Sequence, residues 1–426
     1  MIDSLLKFLD ASPVNFLAVK NIAAELDKAG YRHLNPAEAL GNVKAGDRFY
    51  VTKNDSSIYA FQIGARPLAE AGFRLLCAHC DSPTFRIKPN AEMTCEGGIV
   101  KLNTEVYGGP IMSTWFDRPL TLAGRVILRG NDALHPRTML IHIQRPLLQI
   151  SNLAIHFNRQ VNDGVKLSRQ KDVLPLLGII SNELERGNLL MNVIVEELNK
   201  QEHVDRSDIL DFDLYLADTA PACTFGVHNE FISSGRLDDL SMCYAGLTAL
   251  LHTPATDTTQ VLAIFDNEET GSHQARCRKS VLGIDAEAHL FRAERLGGSI
   301  LSSHRTSIYD FGRQRPWLAS QLQREVRPNK SPTVGRRSSH QVQRSPEIRQ
   351  RCRHSCREEA GVPCQRFVNH SDVAGGSTLG NILASSLPLR GVDMGNAVLA
   401  MHSCRETGSV ADHEYCVKAF ERFFEM

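Results

Sequence analysis

The stretch FRLLCAHCDSP, residues 73 to 83, begins as an apolar run of strand length and ends on His79 and Asp81. Such a run reads as a buried strand. In an open α/β sheet the carboxyl ends of the strands line the ligand crevice, so a histidine there is well placed for chemistry. The pattern returns in VLAIFDNEE, residues 261 to 269, a buried strand running into a loop with Glu268 and Glu269. It returns again in NAVLAMHS, residues 396 to 403, a strand followed by His402. Strand ends on one sheet edge would bring His79, Glu268, Glu269 and His402 together.

Around these strands the texture is that of an α/β protein with an insertion. MIDSLLKFLDASPVNFLAVKNIAAEL reads as an amphipathic helix, a turn at Ser12-Pro13 and a second helix. LDDLSMCYAGLTALLH reads as a helix with acids at its start, LRGVDMG as a strand, and ADHEYCVKAFERFFEM as an amphipathic closing helix. From about Ile87 to about Ser233 short alternating stretches such as GGIVKLNTEVYGG and LTLAGRVILRG, split by Gly and Asp turns, read as a mainly antiparallel β insertion. VLPLLGIISNELER, residues 173 to 186, reads as a helix within it. The expected layout is a catalytic domain of residues 1 to 86 and 234 to 426, interrupted by a β-rich domain over 87 to 233.

At 426 residues, 42% hydrophobic and 23% charged, the chain has an ordinary globular composition and room for two domains. No run approaches the ~20 apolar residues of a membrane span. The start lacks the basic and apolar regions of a secretory signal. Eleven cysteines without dense spacing fit reduced thiols in a cytoplasm. The net charge of zero hides an asymmetry: residues 273 to 354 hold 17 Lys and Arg against 6 Asp and Glu, which leaves 31 against 42 elsewhere.

His79 and Asp81 stand two apart, so the carboxylate can hydrogen-bond the ring nitrogen that faces away from a metal. An isolated His-x-Asp also suits an ordinary surface pair. Glu268 and Glu269 are adjacent at a strand end, so one can ligate a metal while the other reaches an attacking water. Asp238, in GRLDDL, can bridge two cations or cap a helix. Histidine and carboxylate donors without a cysteine cluster suit zinc, manganese or cobalt. Two such ions ~4 Å apart would polarise a carbonyl and acidify a bridging water, which makes a hydrolase site.

CAHCDSPTFRIKP, FDRPLTLAGRV, NLAIHFNR, GRLDDL, FDNEETGS, NHSDVAGGSTLG and AMHSCRETGSVADH resemble, in order and spacing, the aspartyl aminopeptidase family of dizinc exopeptidases. The likeness runs from residue 1 to about 272 and from about 356 to the end. It implies a cytoplasmic aminopeptidase that removes N-terminal, typically acidic, residues from peptides. Its fold would be a peptidase α/β sandwich with an inserted β-rich dimerisation domain, assembled as a large homo-oligomer. Carried over, His79 ligates one metal, Asp81 orients it, Asp238 bridges both ions, Glu268 is the general base, Glu269 ligates the first metal and His402 the second. His156, in NLAIHFNR, matches a family histidine that serves the site from a neighbouring subunit or counts as a zinc ligand. Peptides and other copies of the chain are the expected partners, not nucleic acid or a membrane.

One family feature is missing. The Ser-Ala-Asp motif, whose Asp completes the second metal site, and the His-Pro-Asn stretch after it do not occur between Ser272 and Ser355, although the gap has about the family's length. Tyr309 to Gln321 can be encoded so that the same bases, read one nucleotide later, give Met-Ile-Ser-Ala-Asp-Asn-Ala-His-Gly-Leu-His-Pro. Similar shifts recover family-like text upstream and downstream. We therefore read residues 273 to 354 as a shifted-frame translation between two compensating frameshifts, with the Asp codon falling across Arg313 and Gln314. So polar and Arg-rich a segment is expected to be a disordered loop. Two other functions stay open: a catalytically silent oligomer subunit, and an RNA binder using the 15 arginines of this segment. Against the second, Phe291, Tyr309, Phe311 and Trp317 are not set at a stacking spacing.

Overall fold

Apolar positions at the start of the chain recur every three or four residues, and the backbone coils accordingly. Helix α1 (Ile2–Ala11) buries Leu5, Phe8 and Leu9, and α2 (Asn15–Lys28) buries Phe16, Val19, Ile22 and Leu26. Asn21 fastens the turn between them, donating to the Ala11 carbonyl at 2.9 Å and to Ser12 Oγ at 3.0 Å. This computed structural model describes residues 1–35, 43–182, 185–270, 359–366 and 390–426, with the backbone of short strands at 308–312, 315–316 and 338–341. The chain forms two units: Met1–Asp81, Ala222–Met401 and Arg405–Met426 in one, Ser82–Pro221 and His402–Cys404 in the other.

The strands of the first unit are β1 (Arg32–His33), β2 (Arg48–Lys53), β3 (Ser57–Gln62), β4 (Phe73–His79), β11 (Cys223–Phe225), β12 (Phe231–Ser234), β13 (Thr259–Phe265), β14 (Ile308–Gly312), β15 (Arg315–Pro316), β16 (Ser338–Gln341), β17 (Cys364–Arg366), β18 (Arg390–Gly395), β19 (Ala397–Val398) and β20 (Glu406–Ser409). Nine of them make one sheet in the order β1-β2-β3-β13-β4-β14-β18-β16-β17. Strands β13, β4, β14 and β18 run parallel, with Phe265 beside His79 and Phe311 beside Cys77. Their carboxyl ends therefore share one edge.

Side chains alternate across this sheet with period two. Leu76, Ala78, Leu262 and Ile264 join a core with α1, α2, α5 (Leu237–His252) and the closing helix α6 (Val410–Glu425), whereas Leu75, Cys77, Val261, Ala263 and Phe265 fill the opposite face. Every residue of β13 is buried, as a central strand requires. Gly246 lets α5 press onto it: a Cβ there would stand 2.7 Å from Leu76 Cδ2 and 2.8 Å from Leu262 Cδ1. That close approach brings the start of α5 to the end of β4.

The second unit is a six-stranded antiparallel sheet in the order β8-β7-β10-β5-β6-β9, built from β5 (Thr84–Thr94), β6 (Ile99–Tyr107), β7 (Leu120–Asp132), β8 (His135–His142), β9 (Leu176–Ile179) and β10 (Ile209–Asp218). Helix α4 (Leu189–Asn199) packs Leu190, Ile194 and Leu198 into its core. The helix expected over residues 173 to 186 is not there: Leu176–Ile179 is strand β9, paired with β6, and the helix starts ten residues further on. VLPLLGII is apolar without a period, so tertiary pairing decided its form. In the segment 273 to 354, expected to be a loop, three short strands occur, β14, β15 and β16, of which β14 lies hydrogen-bonded between β4 and β18. The rest of that expectation concerns residues outside the described set.

Candidate metal centre

His79 is the last residue of β4 and is 2% exposed. Its Nδ1 lies 3.0 Å from the Asp81 carbonyl oxygen, and its Nε2 lies 3.4 Å from Asp238 Oδ1. With Nδ1–H donating to that carbonyl, the Nε2 lone pair is left for a cation. Burial opposes charging this ring, but hydrogen bonds to Asp238 and Asp81 and the charges of Asp239 and Glu268 outweigh it and hold its pKa well above the usual value. The surroundings are thus strongly negative.

Asp238 opens α5 without taking helical geometry. Arg236 precedes it in the left-handed region (φ 60), and Asp238 itself sits at φ −83, ψ 103, with no side-chain cap at this helix start. Its carboxylate, 1% exposed, turns to His79.

The loop after β13 carries the two glutamates. Asp81 holds it by the backbone: Oδ1 accepts the Glu268 N–H at 3.2 Å and Oδ2 the Glu269 N–H at 3.0 Å. Its carboxylate is 3.5 Å from His79 Nδ1, so Asp81 orients the ring mainly through its carbonyl and spends its carboxylate on the loop. Before the loop, burial and the Asp81 charge push the Asp266 carboxyl up to about 6.

His79, Asp238 and Asp239 form one group whose ligand atoms lie within 4.8 Å of one another, and His79, Glu268 and Glu269 form another. Two donors each about 2.1 Å from a tetrahedral ion stand about 3.4 Å apart, which is the His79–Asp238 spacing. Buried Asp239 Oδ1 has no hydrogen-bond partner among the described residues. A nitrogen donor with its other nitrogen anchored, several buried carboxylates and no thiolate fit zinc or another borderline cation.

His402 groups with the second unit. It sits in the left-handed region at φ 70, its Nδ1 is 3.1 Å from the Gly109 carbonyl, and its own carbonyl accepts the Ile111 N–H at 2.9 Å. His156 lies in an exposed turn.

The family model for the Aminopeptidase I zinc metalloproteases (M18) matches residues 8–309 and 314–424. The chain belongs to the M18 family. A probable M18 family aminopeptidase 2 of Clostridium novyi (strain NT) is 41% identical over 437 residues, covering 100% of this chain and 98% of the relative. The cryo-EM structure of a complex of Ape4 and Nbr1 matches with a TM-score of 0.92 at 32% identity, over 99% of this chain and 84% of that one. The S. cerevisiae mApe1 dodecamer matches with a TM-score of 0.83 at 21% identity, over 99% and 95%, a likeness of fold. This M18 chain thus has the α/β peptidase fold of a zinc metalloaminopeptidase.

Three further acids lie inside the quoted motifs, where the sequence alone assigns them no role. Asp239, fully buried, accepts the His79 N–H at 3.2 Å; burial and the neighbouring acids raise its carboxyl well above the usual range. Glu406, 2% exposed on β20, accepts the Asp238 N–H at 3.0 Å. Asp266 accepts the Asn267 N–H at 2.8 Å. Each accepts a backbone amide at or beside a candidate site residue, and the only sequence signal is that each lies in a motif with such a residue.

Proposed function

We propose that the chain is built to remove N-terminal residues, acidic ones by preference, from peptides by metal-dependent hydrolysis. The observation that carries this is the buried His79–Asp238 pair beside a loop that presents Glu268 and Glu269. His79, Asp238 and Glu269 would hold one ion; Asp238 and His402 would serve a second, with His156 either a ligand or a contribution from a neighbouring subunit. Zinc, or manganese or cobalt in its place, supplies Lewis acidity toward the scissile carbonyl and toward water. Glu268 takes the proton of the attacking water and hands it to the leaving amine. Asp81 keeps Glu268 and Glu269 in place through their amides. The second unit acts as a dimerisation and lid domain of a cytoplasmic homo-oligomer.

A second reading, a poorly active or silent subunit, is favoured by Arg313 and Gln314, which follow Gly312 where the family's motif supplies a carboxylate. On this basis the purified chain binds fewer than two ions and hydrolyses an aspartyl amide weakly. Metal counting by plasma mass spectrometry with an assay of aspartyl, glutamyl and leucyl p-nitroanilides tests both. Two ions per chain with brisk aspartyl hydrolysis would remove the silent reading; no hydrolysis of any amide, with metal bound, would remove the peptidase one. Resequencing the gene across codons 265 to 360 tests the frameshift, which a clean frame giving the residues as written would end.

A further inference from the structure

We propose that Asn15, on the first turn of α2, is a positioning residue for the loop that bears Glu268 and Glu269, acting through Asp266. The proposal rests on the metallopeptidase reading of the site. Three consecutive loop amides end on two carboxylates: the Asn267 N–H on Asp266 Oδ1 at 2.8 Å, the Glu268 N–H on Asp81 Oδ1 at 3.2 Å and the Glu269 N–H on Asp81 Oδ2 at 3.0 Å. The grip starts at Asn267, a non-glycine residue in the left-handed region at φ 66, a conformation that persists only when its surroundings impose it.

The two gripping carboxylates are close enough for their charges to oppose one another. Side-chain donors to Asp266 offset that repulsion, one of them on the same Oδ1 that accepts the Asn267 amide. Asn15 Nδ2 supplies one at 2.8 Å, and the Ser56 side chain supplies another. Asn15 is itself held in place: it is 8% exposed, and its Oδ1 accepts the Phe16 N–H at 3.0 Å. With the amide oxygen engaged on the helix, the amide nitrogen is committed to Asp266. The chain therefore links the first helical hairpin to the catalytic loop across 251 residues, and none of the motifs that carry the family likeness contains Asn15.

The test uses three variants of the full chain. Asn15→Leu removes the donor while keeping the number and branching of the side chain's heavy atoms. Asn15→Asp keeps the side chain's size and its acceptor for the Phe16 N–H but sets a carboxylate against Asp266 Oδ1. Asn21→Ala loosens the same hairpin at the α1–α2 turn without touching the loop. Zn2+ affinity is read by competition with a chelating dye, alongside kcat and KM for an aspartyl p-nitroanilide and the melting temperature. Asn15→Leu is expected to weaken Zn2+ binding about tenfold and to lower kcat about tenfold with KM within about twofold. Asn15→Asp should weaken Zn2+ binding at least as much as Asn15→Leu, and Asn21→Ala should lower the melting temperature alone. Zn2+ affinity unchanged in Asn15→Leu or in Asn15→Asp, or an equal loss in Asn21→Ala, overturns the proposal. A wild type that binds Zn2+ but hydrolyses nothing overturns the peptidase reading, while the affinity series still decides the role of Asn15. A wild type that binds no Zn2+ overturns both.

Discussion

The amide of Asp238 donates to Glu406 Oε2 at 3.0 Å, joining residues 168 apart in the chain. Both are buried, so the acceptor cannot be replaced by water. Glu406→Ala is expected to cost about 1–3 kcal/mol in urea unfolding and about tenfold in Zn2+ affinity. Glu406→Gln keeps an acceptor and should cost less than half as much. Equal losses would mean that the charge of Glu406, not its acceptor, holds Asp238.

Glu268→Gln removes the proton acceptor while leaving the loop amides on Asp81. Turnover of an aspartyl amide should fall by about a hundredfold or more, with bound zinc per chain unchanged. Zinc lost in step with activity would reassign Glu268 as a ligand.

Asp81→Asn leaves one oxygen for the two amides of Glu268 and Glu269. Zn2+ affinity is expected to drop by about ten- to a hundredfold, more than in Glu268→Gln, because Glu269 moves with its backbone. Dye competition on both variants gives the order; the reverse order would show that Asp81 does not hold the loop.

Acid should destabilise the first unit through His413. This residue is fully buried in α6, its ring stacks on Tyr244 at 6.2 Å, and neither ring nitrogen has a hydrogen-bond partner among the described residues. Burial, with a smaller push from the N-terminal ammonium, lowers its pKa to about 4. The folded ring therefore stays neutral where the unfolded one, near 6.5, takes a proton. Its stability contribution is complete above the unfolded pKa and is lost as pH falls toward the folded one. Going from about pH 7.5 to about pH 5 should cost about 2 kcal/mol, a loss that His413→Phe should abolish; urea titrations of both proteins at the two pH values measure it.

Much of the first unit was legible because its elements are bounded runs. FRLLCAH, LDDLSMCYAGLTALLH and TQVLAIF became β4, α5 and β13, each apolar between charged or turn residues. Residues 173 to 186 were not legible, since an aperiodic apolar run does not distinguish strand from helix, while α4, with Leu190, Ile194 and Leu198 four apart, carried a period that was passed over. At the candidate site, His79, Asp238, Glu268 and Glu269 stand out in the sequence because metal chemistry uses those side chains, and the structure brings their ligand atoms into shared groups. Asp239, Glu406 and Asp266 do not stand out, because they act on backbone amides, and no local pattern tells which amide a distant carboxylate will meet.

The left-handed Asn267 and the amides gripped by Asp81 separate what shapes the loop from what reacts on it. Glu268 and Glu269 give their peptide groups to the scaffold, and in the proposed function their carboxylates carry the chemistry. Either carboxylate can then be retired without redrawing the polypeptide, so a Glu268→Gln protein should retain peptides uncleaved and serve as bait for the molecules this peptidase meets in a cell.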